Sequence, residues 1–196
     1  MADESFNQNI EIELKVKIPD KESYLRILEQ FGEDFHLIHQ RNIYYDTNEG
    51  DLQASKIMFR LRNANEEWVA TVKSNASQVN GVQKADENEI ILDQQPTSIN
   101  ELKATFCKLK DGGFLNGHDL MPLGEIINER HVFNKLDNEI FEIDHTIIAG
   151  HHFYEIEIET ENINKIRNYV QELFAKLTLP FEYADSKYKR FLLLTR

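Results

Sequence analysis

The stretch NIEIELKVKIP, Asn9 to Pro19, decides how the rest of the chain is read. It alternates strictly, with Ile10, Ile12, Leu14, Val16 and Ile18 on one face and Glu11, Glu13, Lys15 and Lys17 on the other. Alternation at period two specifies a β-strand with one apolar side. Its polar side runs as two acids followed by two bases, whereas a strand face turned simply to solvent mixes its signs.

At 196 residues the chain is long enough for one domain with a substantial core. A single domain over residues 1–196 is expected, with residues 1–8 as a flexible start. The formal net charge of -12 argues against nucleic acid or an anionic membrane as a partner, since both rely on a basic field. Cys107 is the only cysteine, which excludes an internal disulfide framework and a thiolate metal cluster. No apolar run reaches the roughly 20 residues that cross a bilayer. The opening MADESFNQN has neither the basic start nor the apolar stretch of a secretion signal, so a cytoplasmic location is expected.

Beyond Pro19, Asp20 can cap a helix over about Lys21 to Gln30, ended by Gly32. Strand patterns follow at His36 to Thr47, Lys56 to Asn63, Glu67 to Ser74 and Ala85 to Leu92. Ser98 and Glu101 have the spacing of a capping box for a helix that ends near Gly112-Gly113. Three more strands, Glu125 to Leu136, Glu139 to Ile148 and His151 to Thr160, form a meander with turns at Asp137-Asn138 and Ala149-Gly150. An amphipathic helix carrying Ile163, Ile166, Val170, Leu173, Phe174 and Leu177 comes next, then a short helix in ADSKYKRFLLL capped by Asp185 or Ser186. The fold class is therefore α+β and mainly antiparallel β: about eight strands in a closed or nearly closed barrel with flanking helices.

One-sign faces recur. Arg60 and Arg62 share a face opposite Ile57, Phe59 and Leu61, and Glu155, Glu157 and Glu159 share one opposite Tyr154, Ile156 and Ile158. Carboxylates about 6.5 Å apart along a strand repel, and beside Glu11 and Glu13 they are best tolerated with divalent cations between them. Such hard oxygen donors suit Mg²⁺ or Mn²⁺. The bases Lys15, Arg60, Arg62, Lys73, Arg130 and Lys187 supply forks and point charges for phosphate oxygens. Acids for metal and bases for phosphate together describe a polyphosphate site, with the apolar strand faces turned outward against the helices.

These residues resemble the CYTH superfamily, the triphosphate tunnel metalloenzymes. Glu11-Ile12-Glu13-Leu14-Lys15 matches its ExExK signature, and IYYDT (Ile43 to Thr47), FRLR (Phe59 to Arg62), VATVK ending at Lys73, ENE (Glu87 to Glu89), Arg130, Asp144, YEIEIE (Tyr154 to Glu159) and DSKYKR (Asp185 to Arg190) follow in order. The resemblance implies an eight-stranded antiparallel tunnel whose substrate is a small triphosphate. It implies metal at Glu11, Glu13, Glu155 and Glu157, with Glu159 and Asp144 beside them, and phosphate at Lys15, Arg60, Arg62, Lys73, Arg130 and Lys187. Glu11, Glu13, Lys15 and Glu157 would form the catalytic set. Mg²⁺ or Mn²⁺ would neutralise the triphosphate and activate water for hydrolysis. The fifth strand departs from the family in lacking an arginine. Inorganic triphosphate, thiamine triphosphate and a nucleotide are the candidate substrates. An adenylate cyclase of class IV type and a noncatalytic polyphosphate-binding module are the alternatives, and a monomer or homodimer is expected. The cyclase would need an aromatic platform, for which Tyr44, Tyr45 and Trp68 are available, though strand aromatics more often belong to the core.

Overall fold

The computed structural model describes residues 6–136 and 138–195. In chain order these form β1 (Phe6–Ile18), α1 (Lys21–Phe31), β2 (His36–Thr47), α2 (Asp51–Ala54), β3 (Met58–Ala64), β4 (Glu67–Val79), β5 (Val82–Leu92), α3 (Ile99–Lys108), a 3-10 turn (Gly112–Leu115), β6 (Leu120–Lys135), β7 (Glu139–Ile148), β8 (His151–Glu159), α4 (Ile163–Lys176), β9 (Glu182–Tyr183) and α5 (Lys187–Leu194). Of the expected flexible start, residues 6–8 belong to β1, and residues 1–5 lie outside the described residues. Asp137 of the expected turn lies outside them too.

The hydrogen-bonded order is β5-β4-β3-β2-β6-β7-β8-β1-β9, and a further β1–β5 pairing closes it into an eight-stranded antiparallel barrel with β9 as an extra strand. The expected barrel with flanking helices is therefore present. Two-residue turns make the tight hairpins. Asn65 and Glu66 join β3 to β4, and Asn80 and Gly81 join β4 to β5, all four with positive φ as a type I′ turn requires. Gly81 is needed twice over: its φ is +75, and an added Cβ would fall 1.9 Å from the ring of Tyr183.

Several boundaries differ from the sequence pattern. β4 continues past Ser74 to Val79 because Asn75, at φ 53, bends the strand without ending it, so the side-chain alternation breaks while the chain remains extended. α3 stops at Lys108, since Leu109 is already extended (ψ 154), and the residues near Gly112 form a separate 3-10 turn. Gly112 passes so close to the Phe106 carbonyl that a Cβ would lie 1.6 Å from its oxygen. α2 and β9 are too short to show a period in the sequence.

The helix caps follow local chemistry. Asp20 accepts from the Ser23 backbone N–H at 2.8 Å and Ser98 from that of Glu101 at 3.2 Å. The Glu101 carboxylate reaches back to the Thr97 N–H at 2.8 Å, one residue before the cap that a capping box would use.

The described residues divide into two compact units: those up to residue 11, 40–77 and 85–126 in the first, and 12–39, 78–84 and those from 127 onward in the second. In the first, Phe59, Leu61, Ala70, Val72 and Ile90 pack against Leu102 and Phe106 of α3 and Leu52 of α2. In the second, Leu14, Val16, Phe141, Ile143, Ile156 and Ile158 pack against Tyr24, Ile27 and Phe31 of α1 and Ile166, Val170 and Phe174 of α4. Helices thus cover the apolar strand faces in each unit, which leaves the charged residues on the opposite face. Among the described residues, no helix is long and apolar enough to cross a membrane.

Candidate active site

Strand register builds the charged face of the second unit row by row. Glu142 of β7 is opposite Glu157 of β8, which is opposite Lys15 of β1. In the next row Asp144 is opposite Glu155, and Glu155 opposite Lys17. Because side chains alternate, these neighbours share one face. The buried charges at its centre are mutually paired. Lys15 bridges Glu157 and Glu13, the latter at 2.8 Å. Arg130 of β6 forks onto Asp144 with bonds of 2.8 and 2.7 Å, donates to Glu157 at 2.6 Å and pairs with Glu142. Lys187, the first residue of α5, donates to Asp144 at 2.7 Å and to Glu157 at 2.5 Å and lies 2.8 Å from Glu155. Arg190, one turn later, places one nitrogen 2.6 Å from both oxygens of Glu155.

Asp144, Glu155 and Glu157 each offer an oxygen within 4.8 Å of the others, and all three are buried. Burial alone would raise the pKa of Glu157, but Lys15, Lys187 and Arg130 hold it well below the usual carboxylate range. Asp144 is likewise lowered: burial opposes ionisation, and Arg130 and Lys187 overcome it. Glu142 moves the other way, since its burial outweighs the help of Arg130. Lys187 is raised despite burial, by Asp144, Glu155 and Glu157. Two of the clustered acids are therefore firmly ionised among fixed cations.

The matching face of the first unit is built by β3, β4 and β5. Arg60 donates to Thr71 at 3.1 Å and to Glu89 at 3.3 Å and lies 3.8 Å from Glu87. Lys73 pairs with Glu11 and lies 2.6 Å from Glu87, and Arg62 donates to Asn42 at 2.8 Å. Arg60 is buried, and its Nε has no acceptor. Buried donors are seldom left unpaired. Glu87 and Glu89 thus pair with the bases of β3 and β4 although the strand that carries them has no arginine.

Among the residues singled out from the sequence, Glu13, Lys15, Arg130, Asp144, Glu155, Glu157 and Lys187 come together in the second unit. Glu11, Arg60, Arg62 and Lys73 belong to the first. Glu159, opposite Glu13 in the register, is exposed, so the strand face carries it out of the buried cluster. Tyr45 packs on Phe106 in the core. Glu142 lies outside the motifs of the sequence, and Arg190 enters there only as the end of DSKYKR, with no site role. Period two from Asp144 puts Glu142 on the same face, which was a usable signal, but nothing local tells that Arg190 turns back toward β8.

Comparison with known proteins places this arrangement. The sequence profile of the CYTH domain matches residues 9–192. A Hippeastrum protein, the candidate adenylyl cyclase HpAC1 with a dominant triphosphatase activity, is 25% identical over 93% of this chain and 95% of its own, with a TM-score of 0.78. A candidate adenylate cyclase of Bacillus halodurans shares the fold at 22% identity, covering 94% and 98% of the two chains with a TM-score of 0.66. So does the PH1012 protein of Pyrococcus horikoshii, at 24% identity, 88% and 94% coverage and a TM-score of 0.57. No curated protein matches the sequence. The profile spans nearly the whole chain, and the chain belongs to the CYTH domain family.

Proposed function

We propose that this protein is a divalent-metal-dependent hydrolase of a small triphosphate. The observation that carries the reading is the buried trio Asp144, Glu155 and Glu157 set among Lys15, Arg130, Lys187 and Arg190. Buried ions are retained at a desolvation cost, and such mixed clusters concentrate where charge must be handled. All-oxygen donors fit Mg²⁺ or Mn²⁺. Asp144, Glu155 and Glu157 would hold the ion, with Glu13 close by through Lys15. Bound there, it would neutralise phosphate charge and activate water.

The chain's own bases do the rest. Lys15, Arg130 and Lys187 now neutralise carboxylates, and an arriving triphosphate would compete for them, freeing acid oxygens for the cation. Arg60, Arg62 and Lys73 of the first unit are the other bases assigned to phosphate oxygens, the unpartnered Nε of Arg60 among their donors. Fixed cations of this kind stabilise charge on the transferring oxygens without reorganising. Glu11, Glu13, Lys15 and Glu157 remain the residues assigned to catalysis. Hydrolysis is preferred to cyclisation because triphosphatase activity dominates in the Hippeastrum relative. The substrate is taken to be a free small molecule, and the protein a cytoplasmic monomer or homodimer with neither nucleic acid nor membrane as a partner.

The test is phosphate release from inorganic triphosphate, thiamine triphosphate and ATP with Mg²⁺, Mn²⁺ or EDTA, for the wild type and Glu157→Gln. Metal-dependent release that Glu157→Gln abolishes is the expected result. Cyclic AMP and pyrophosphate from ATP would replace hydrolysis with cyclisation. Tight triphosphate binding without turnover would leave a binding module.

A further inference from the structure

A cleft of about 410 Å³ opens in the second unit beside the ends of β1 and β8, and β9 and the start of α5 complete its lining. That volume falls within the range of roughly 300–1,000 Å³ typical of small-molecule sites. Phe153, Tyr183 and Arg190 line it, together with Lys17, Glu182 and Asp185. We infer that this cleft receives the non-phosphate end of the substrate, a flat uncharged aromatic group of nucleobase size, so that the substrate is an organic rather than an inorganic triphosphate. The inference rests on the triphosphate reading above.

Three observations carry it. The first is continuity. Phe153, Glu155 and Glu157 alternate onto one face of β8, which puts the cleft roughly 7 Å from Glu155 and roughly 13 Å from Glu157 along the strand. Arg190 spans the junction: its Nη2 holds Glu155, and its guanidinium carbon lies 4.9 Å from the centre of the Phe153 ring.

The second is charge. The buried cluster is crowded with ions, but the cleft is balanced. Lys17 pairs with Glu182 at 3.1 Å, Asp185 with Lys189 at 2.7 Å, and Arg190 with Glu155. The lining therefore carries no excess of positive charge to draw phosphate, and a neutral group disturbs none of these pairs.

The third is chemistry. Phe153 and Tyr183 supply ring surface, and Tyr183 is 39% exposed and so within reach of a ligand. Nε of Arg190 is buried without an acceptor, a donor that a ring nitrogen or carbonyl oxygen of the ligand would satisfy. Neither Phe153 nor Tyr183 is among the metal or phosphate ligands proposed above, and Arg190 belongs to both sites through its bond to Glu155.

Calorimetric titration of ATP, UTP and inorganic triphosphate into the wild type, Tyr183→Ala, Phe153→Ala and Tyr183→Phe tests the assignment. Loss of a stacking ring should weaken ATP or UTP about 5- to 30-fold. Inorganic triphosphate should stay within about twofold of wild type in the same variants. Tyr183→Phe keeps the ring and should bind all three like the wild type, which separates stacking from damage to the turn around Gly81. Equal weakening of all three ligands by the alanine variants, or no weakening of either nucleotide, overturns the inference and leaves the triphosphate site intact. Failure of the wild type to bind any of the three removes the triphosphate reading and the cleft assignment with it.

Discussion

Lys187 and Asp144, 43 positions apart in the chain, meet in a 2.7 Å bond at the centre of the charged face. The lysine sits in the first turn of α5, where the helix dipole disfavours a cation, so it is held by the three acids it meets and not by its own helix. Removing one partner of a buried ion pair leaves the others uncompensated. Lys187→Met should therefore lower the unfolding free energy by about 3–5 kcal/mol in urea titrations. Mg²⁺ should restore part of that loss, and should raise the melting temperature of the variant more than that of the wild type. Equal responses to Mg²⁺ would show that the three carboxylates do not take up the ion.

Acid stability follows from the lowered pKa of Glu157. A carboxylate whose folded pKa is depressed contributes stability above its ordinary value of 4.5 and loses it as pH falls from there toward the folded value. Asp144 adds to the same loss, starting from its ordinary value of 3.8. Lys15 is the largest of the attractive influences on Glu157. Lys15→Met should lift the folded pKa of Glu157 and move the midpoint of acid unfolding to higher pH, as read by circular dichroism between pH 7 and 2. An unchanged midpoint would mean that Glu157 is not what fails in acid.

Much of this was legible because side chains on a strand alternate. NIEIELKVKIP announced an inward polar face, and the same rule on β3 and β8 found Arg60, Arg62, Glu155 and Glu157. Asn80-Gly81 is a strong hairpin signal, but the break in alternation at Asn75 obscured the strand leading to it. Register is what alternation cannot supply. That Glu142 faces Glu157, and that Glu159 slides out of the buried cluster, depend on which residues pair across β7, β8 and β1. Arg190 depends on how a helix docks, which no local pattern encodes.

His145 and His152 illustrate the same limit on the apolar side of β7 and β8. Their ring nitrogens are 2.8 Å apart, with ring planes only 15° apart, so the two imidazoles meet edge to edge in an N–H···N bond. Burial, and then His152, lower the pKa of His145, with Lys21 acting in the same direction and Glu129 against it. The folded state favours neutral rings, so stability is greatest above the ordinary histidine value of 6.5 and declines as pH falls through it. The urea midpoint should drop between pH 7 and 5, and His145→Gln should flatten that slope. A slope that is the same in the variant would assign the decline to other groups.

Arg60 offers the sharpest test of the phosphate assignment in the first unit. Its guanidinium is fixed by Thr71 and Glu89 while its Nε stays unpartnered, a preorganised fork with one donor to spare. Lysine at this position keeps the charge beside Glu87 and Glu89 but cannot present the planar fork. Arg60→Lys should therefore leave the urea midpoint nearly unchanged while lowering kcat/KM for the preferred triphosphate by about 10- to 100-fold, the value of one charge-assisted contact. If the contact is made equally in ground and transition states, the loss will appear as a higher KM; if it strengthens as charge moves onto the leaving oxygen, kcat will fall instead. Full activity in Arg60→Lys would show that the unpartnered nitrogen does not meet phosphate.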